Sequence, residues 1–300
     1  MADITVIGSN MIDLITYIDR MPTEGETISA PSFSMGFGGK GSNQAIAAAR
    51  LGADVAMITA VGGDEFGAQQ LDNYEKNGIG TETIIRGKAN SGVAPIFVDP
   101  TSDNRIIIVK GANEELTPEA LNQFIDVIQS SKLIVLQQEI PLETNYRAIE
   151  IANEANVPVL LNPAPAVSGI DKDFVTRVQF YAPNETELAT ITGMPVETLD
   201  DIKEAARTLV KEGVSNLIVT LGSKGVLWIS PDDAKLIPAH KVDAVDTTGA
   251  GDSFIGAFAN FYVAGESIPE ALAHANDYSA VTVTRPGTQK SYPTAAELNR

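Results

Sequence analysis

The sequence predicts an α/β protein: one mostly parallel sheet with helices on both faces, carrying a small additional β sheet. Three observations predict it. Short β-branched runs alternate with longer stretches of helical spacing. Those runs are apolar nearly throughout, as strands covered on both faces must be. Two segments then break the alternation, with strand-like runs and no helix between them.

Taken in order, Ile4–Ile7 reads as the first strand and ends in Gly8-Ser9-Asn10. The first interruption, about residues 14–35, contains LITYI; the second, about 91–110, contains VAPIFV and RIIIV. Both predict strands of a lid inserted into a single domain spanning 1–300. Pro95 cannot donate to a ladder, which predicts an edge position. Exposed lid edges make a homodimer through the lid the expected assembly. Between and after the insertions, Val55–Ile58, Leu133–Leu136, Val157–Leu161, Leu217–Val219 and Val226–Ile229 read as strands. Asn43–Leu51, Pro118–Gln129, Leu142–Asn153, Asp201–Lys211 and Ala250–Val263 carry helical spacing. The chain shows no repeat, low-complexity tract or polar linker.

Composition narrows the function. With 21 basic and 39 acidic residues the 300-residue chain carries −18, and its lysines and arginines are scattered. Phosphodiester backbones and anionic lipid are repelled by such a surface, so neither nucleic acid nor membrane is an expected partner. Cysteine is absent, which excludes disulfides, thiolate catalysis and Cys-ligated zinc and fits a reducing, cytoplasmic setting. The opening MADITVIGSNMIDLI has no basic region ahead of its apolar stretch, unlike a secretory signal. Only His240 and His274 could supply imidazole, and both read as surface or packing residues.

Glycine-rich clusters carry the chemistry. In Asp246-Thr-Thr-Gly-Ala-Gly-Asp252, glycines ahead of a helix let backbone amides and the helix dipole form an anion hole. Asp252, in the first turn, is placed to take a proton from an attacking hydroxyl, as in-line phosphoryl transfer requires. The same letters also fit a helix cap after a tight turn. Gly36-Phe-Gly-Gly-Lys-Gly-Ser-Asn43 could hold sugar hydroxyls or be a flexible loop. It lacks Walker A spacing, and Val6-Ile-Gly-Ser-Asn10 is no dinucleotide fingerprint. Thr220-Leu-Gly-Ser-Lys-Gly225 is either a nucleotide-contacting strand end or a hairpin turn. Asn184-Glu-Thr-Glu187 either caps a helix or brings Glu187 to magnesium through water.

Together these clusters resemble the ribokinase family of sugar kinases, which includes fructokinases and adenosine kinase. GGKGSNQAIAAARLG and DTTGAGDSFIGAF stand in the family's order about two hundred residues apart, and the likeness runs from GSNMIDLITYIDRMPTEGET to VTRPGTQKSYP. The resemblance implies a Rossmann-like, ribokinase-like fold with a β lid over the sugar, and ATP with Mg2+. By position it implies that Asp252 is the catalytic base and that Gly249, Ala250 and Gly251 form the anion hole. It places Asp13, Gly39, Lys40, Gly41, Ser42, Asn43 and Glu139 on the sugar. It places Asn184, Thr220, Leu221, Gly222, Ser223, Lys224, Gly225, Gly251 and Asn276 on the nucleotide. It further implies a K+ activator held mostly by carbonyls near Asp246, Thr248, Thr282, Arg285, Gly287 and Ser291.

The family commonly carries Gly-Ser-x-Asn-x-Asp after the first strand, with asparagine and aspartate on ribose hydroxyls. Here Met11 takes the asparagine position in Gly8-Ser-Asn-Met-Ile-Asp13, and strand alternation turns Asn10 to the opposite face. A thioether cannot replace those hydrogen bonds, and a hydroxyl buried against it loses about 1–3 kcal/mol. A sugar without a 2-hydroxyl loses nothing. The string is also similar to that of family members acting on 2-deoxyribose. The expected reaction is therefore phosphorylation of the 5-hydroxyl of 2-deoxy-D-ribose, with D-ribose as the alternative and a neutral packing change at Met11 as the competing account. A sugar-phosphate acceptor would need cations, for which only Arg20, Lys40, Arg105 and Lys110 offer themselves. A nucleoside acceptor has Tyr17, Phe33, Phe37 and Phe97 available. A non-catalytic sugar sensor would be expected to have lost Asp252 or its glycines.

Overall fold

A computed structural model describes residues 2–101, 104–167 and 169–298, so positions 102 and 103 of the second lid segment lie outside it. The chain opens with β1 (Ile4–Ile7), β2 (Met11–Tyr17), β3 (Ser32–Gly38), α1 (Lys40–Arg50) and β4 (Val55–Val61). Then come α2 (Glu65–Lys76), β5 (Ile84–Arg86), β6 (Val93–Val98) and β7 (Asn104–Ile106). The middle contains α3 (Pro118–Leu121), α4 (Ile125–Gln129), β8 (Leu133–Leu136), α5 (Leu142–Glu154) and β9 (Val159–Leu161). It continues through α6 (Lys172–Val175), β10 (Phe180–Tyr181), α7 (Glu185–Thr192) and α8 (Leu199–Lys211). The last part is β11 (Leu217–Thr220), β12 (Val226–Ile229), β13 (Ala234–Ile237), α9 (Ala250–Val263) and α10 (Ile268–Thr282).

The main sheet runs β13-β12-β11-β10-β9-β8-β1-β4-β5. It is parallel from β11 to β5, with β12 and β13 added antiparallel at one edge. Alternating side chains feed two apolar cores. Leu133 and Val135 of β8 join Ile46, Phe254, Phe258 and Leu272 on one face, while Ile134 and Leu136 join Ile149, Ala205 and Leu209 on the other. This explains why the strands read as unbroken apolar runs. Among the described residues no helix is long and apolar enough to cross a membrane.

The smaller sheet has the order β3-β2-β6-β7. Pairing is antiparallel for β2–β3 and β6–β7 but parallel for β2–β6, because α1, β4, α2 and β5 intervene in the chain. Pro95 therefore lies in an interior strand, not at the edge its missing donor predicts. The ladder tolerates it because Ile107 donates to the Pro95 carbonyl at 3.0 Å just beyond the end of β7, where the matching bond is omitted. The predicted helix 118–129 is likewise broken. Leu121, Phe124 and Ile128 keep helical spacing into the core, but Phe124 at φ −115°, ψ 16° leaves the helical region between α3 and α4.

Candidate active site

Strand order turns around at β1. The chain goes from β1 outward to β4 and β5, then returns to lay β8 on the other side of β1. Open α/β sheets place their ligands in the crevice at such a point, beyond the carboxyl ends of the strands. Here Gly8-Ser9-Asn10 leaves β1 beside Gln137-Gln138-Glu139 leaving β8. Ser9 Oγ donates to Glu139 Oε2 at 2.6 Å, and the Lys40 N–H donates to the same oxygen at 2.9 Å. Glu139 thus ties the start of α1 to the sheet as well as facing the crevice.

Helices α1 and α9 meet closely enough that a Cβ on Gly256 would lie 2.7 Å from the Ala47 Cβ. This approach needs the small residues of QAIAAA and SFIGAF. One turn earlier on the same face of α9 is Asp252, 7% exposed. Its Oδ2 accepts from Asn43 Nδ2 at 2.9 Å and its Oδ1 from Gln44 Nε2 at 3.0 Å. Asn43, placed on the sugar by the resemblance, here orients Asp252, and its Oδ1 accepts from Gln289 Nε2 at 2.9 Å. Ser42 is fully buried and takes the other Gln289 bond at 3.0 Å.

Gly249 caps α9 with φ +74°. Of the expected anion-hole amides, Ala250 donates back to the Thr247 carbonyl at 3.2 Å, closing the turn. The amide of Gly251, another of the expected donors, follows it in the first turn, where no intrahelical carbonyl is in reach. A cavity of about 190 Å³ lies here, lined by Lys40, Asn184, Glu187, Thr220, Gly249, Ala250, Gly251 and Asp252. A second, of about 640 Å³, shares Thr247 and Ala250 with it and is walled by Ala239, Val242, Ala244, Ala280 and Val283. Gly222, Ser223 and Asn276 line the larger one. Leu221 does not: it is buried in the core, and its N–H donates to the Gly225 carbonyl at 2.8 Å, so both residues build the turn. Lys224 points to Glu185, 3.0 Å away.

Asn184 and Glu187 form a reciprocal capping box on α7, with bonds of 2.9 and 2.8 Å. Glu187 nonetheless reaches the cavity, where burial raises its affinity for a proton against the pull of Asn184 and Lys40. Lys40 is held charged chiefly by Asp252, which outweighs burial, with help from Glu139 and Glu187. Asp13 is lifted to about 7 by burial first and then by Glu139 and Asp252. A Cβ on Gly38 would fall on the Asp13 carboxylate.

A folded-state value above the ordinary one means the native protein binds a proton that the unfolded chain releases. Asp13 therefore destabilises the fold increasingly as pH rises from about 4 and fully above about 7. Asp13→Asn is expected to raise the melting temperature by several degrees at pH 8 and progressively less toward pH 5. Calorimetry across that range checks it; a pH-independent difference would contradict the strained carboxylate.

The 246 and 287 loops are stitched together by Asp246, whose Oδ1 accepts from Thr248 N–H and Oδ2 from Gly287 N–H, both at 2.9 Å. Burial acts against ionisation there, but those bonds prevail and hold Asp246 below its ordinary value. Thr282 and Ser291 turn their hydroxyls to the Tyr278 and Thr288 carbonyls. Arg285 pairs with Glu297 at 3.0 Å. Met11 is 2% exposed and pairs with Gly38; Asn10 is bound to Thr59 Oγ1 and the Ala60 carbonyl at 2.7 and 2.8 Å. Sequence reasoning missed Ser9, Gln44, Gln137, Asn162 and Gln289. For Ser9, Gln44, Gln137 and Asn162 the one signal is polarity inside otherwise apolar or small-residue runs, and Gln289, within the polar run TQKS, has none.

The family model for pfkB family carbohydrate kinases matches residues 1–295. The chain is 50% identical over 298 residues to a deoxyribokinase of Salmonella typhi, covering 99% of this chain and 97% of that protein. It is 40% identical to the ribokinase of Mus musculus, covering 99% and 94%. The structure of Arabidopsis thaliana ribokinase complexed with ribose and ATP superposes with a TM-score of 0.95 at 32% identity, covering 99% and 97%. This chain belongs to the pfkB family of carbohydrate kinases.

Proposed function

We propose that this kinase transfers the γ-phosphoryl group of ATP to the 5-hydroxyl of 2-deoxy-D-ribose. The observation that carries the choice of sugar is Met11, buried on β2 with the alternation that puts it on the Asp13 side of the strand. Asn10, the neighbouring amide, is committed elsewhere. The 2-hydroxyl of ribose would face a thioether. The 50% identity to a deoxyribokinase supports the same reading.

The acceptor is neutral. Asp252, Glu139 and Glu187 all act on the Lys40 ammonium, and Glu139 and Asp252 act on Asp13 as well, so a phosphorylated acceptor would be repelled. The cations a sugar phosphate would need, Arg20, Arg105 and Lys110, are exposed and paired with Glu26, Asp99 and Glu114. In this reading Asp13 accepts from the sugar hydroxyls and Asp252 takes the proton of the 5-hydroxyl as it attacks. The first-turn amides of α9 receive the charge on the phosphoryl oxygens. The apolar walls of the larger cavity suit a nucleobase.

The donor chemistry fits both expected metal ions. Mg2+ would be held by phosphate oxygens and water, with Glu187, which lines the smaller cavity, beyond the water. Bound there, it would neutralise charge on the transferring group. Asp246, held ionised by Thr248 and Gly287, marks the place where the resemblance puts K+, with the carbonyls of Thr248, Thr282, Arg285, Gly287 and Ser291 as its expected oxygen donors. The exposed lid residues Phe33, Met35, Ile106, Ile107 and Val109 support a homodimer through the lid, which light scattering of the intact protein checks. The reading includes a cytoplasmic location, where ATP is plentiful.

Met11→Asn tests the sugar assignment. It is expected to shift the ratio of kcat/KM values toward ribose by roughly 10- to 100-fold. An unchanged ratio would remove Met11 as the discriminator.

A further inference from the structure

Two chains of buried amides converge on Asp252, and we propose that the longer one, pivoting on Gln289, is a positioning device for the catalytic base. The inference rests on the reading of Asp252 as that base. On one side, Gln137 Nε2 donates to Gln44 Oε1 at 2.8 Å and Gln44 donates to Asp252 Oδ1. On the other, Arg50 Nε donates to Asn77 Oδ1 at 2.8 Å, and Asn77 Nδ2 donates to the Asn73 backbone carbonyl at 2.8 Å, with Asn73 Oδ1 farther off at 3.4 Å. Asn73 Nδ2 donates to Gln289 Oε1 at 2.9 Å, Gln289 to Asn43 Oδ1 at 2.9 Å, and Asn43 to Asp252 Oδ2 at 2.9 Å.

Every link donates toward Asp252. A carboxylate can only accept, so Asp252 dictates which way Asn43, then Gln289, then Asn73 face. Aligned in this way, each bond polarises the next. Gln289 is the pivot because it joins the α2 and α1 parts of the chain from a turn near the C-terminus, buried to 5% exposure. Its second amide proton goes to Ser42 Oγ, and Arg50 Nη1 binds its carbonyl at 2.5 Å and that of Tyr292 at 2.7 Å. Without the Gln289 amide, only the Asp252 carboxylate holds Asn43 in this orientation, and the buried Asn43 Oδ1 loses its donor. Asn43 would then be held at one end only, and Asp252 with it less firmly.

Gln289→Met keeps the volume and loses the amide; Gln289→Glu keeps an acceptor for Asn73 but cannot donate to Asn43. We expect kcat to fall about tenfold in the first and further in the second, with KM for sugar and ATP within about twofold of the parent. Combining Gln289→Met with Asn43→Ala should cost much less than the product of the single losses, because both cut one chain. Melting temperatures measured in parallel identify folded variants. If Gln289→Met does not fold, Asn73→Leu cuts the chain one link away and should give the same split between kcat and KM, with a smaller loss. Raised KM at unchanged kcat, full turnover in a folded variant, or strictly multiplicative effects would each overturn the proposal. Retained turnover in Asp252→Asn would instead remove the base itself.

Discussion

Asp252→Asn is expected to lower kcat by about 10²- to 10⁴-fold, the range that a positioned general base contributes. KM for sugar and ATP should change little, because the substitution leaves the Asp13 side of the crevice and the larger cavity intact. The geometry gives the reason. Asp252 is buried at the α1–α9 crossing, and Asn43 and Gln44 hold one carboxylate oxygen each. Asparagine fills the space but is no longer a carboxylate, so it lacks the basic oxygen that the proposed mechanism needs. One of the two amide donors then meets an NH2 group, so a stability loss of about 1–3 kcal/mol should accompany the kinetic one. Steady-state kinetics with both substrates varied measures it, and near-normal turnover would exclude Asp252 as the base.

Gly39→Ala should have the largest effect on stability. Gly39 caps α1 at φ +86°, a conformation that L side chains rarely adopt, and an added Cβ would lie 2.6 Å from the Asn10 Cα and 2.8 Å from its carbonyl carbon. Both contacts are with backbone, which cannot rotate away. Overpacking and positive φ together predict a loss of about 2–5 kcal/mol. Activity should fall with it, because the Lys40 N–H would be pushed off Glu139. Urea unfolding checks the stability term, and a change within about 0.5 kcal/mol, the scale of an ordinary surface substitution, would contradict the close approach.

Much of this architecture is legible in the residues. Ile4–Ile7, Leu133–Leu136 and Val226–Ile229 form strands over the predicted spans because burial on both faces leaves an apolar run with clear ends. DTTGAGD opens α9 as predicted because a glycine with positive φ and an acidic first turn are local requirements. Strand order is not local. That β8 returns to the far side of β1, and so brings Glu139 to Ser9, depends on how helices cover the sheet. The amide network was hidden for the same reason. Gln289 and Asn43 are distant in sequence, Asn43 reads as a sugar-binding amide, and nothing local to either residue joins it to the other. Pro95 misled because strand position was inferred from a missing donor, whereas the fold leaves that donor unneeded at the end of β7.

The central claim is a deoxyribose kinase, and ATP-dependent kinetics on 2-deoxyribose and ribose side by side, with Mg2+ and K+ present, test it most directly. The account predicts a higher kcat/KM for 2-deoxyribose, with ribose a poorer but measurable substrate. A higher kcat/KM for ribose would contradict it.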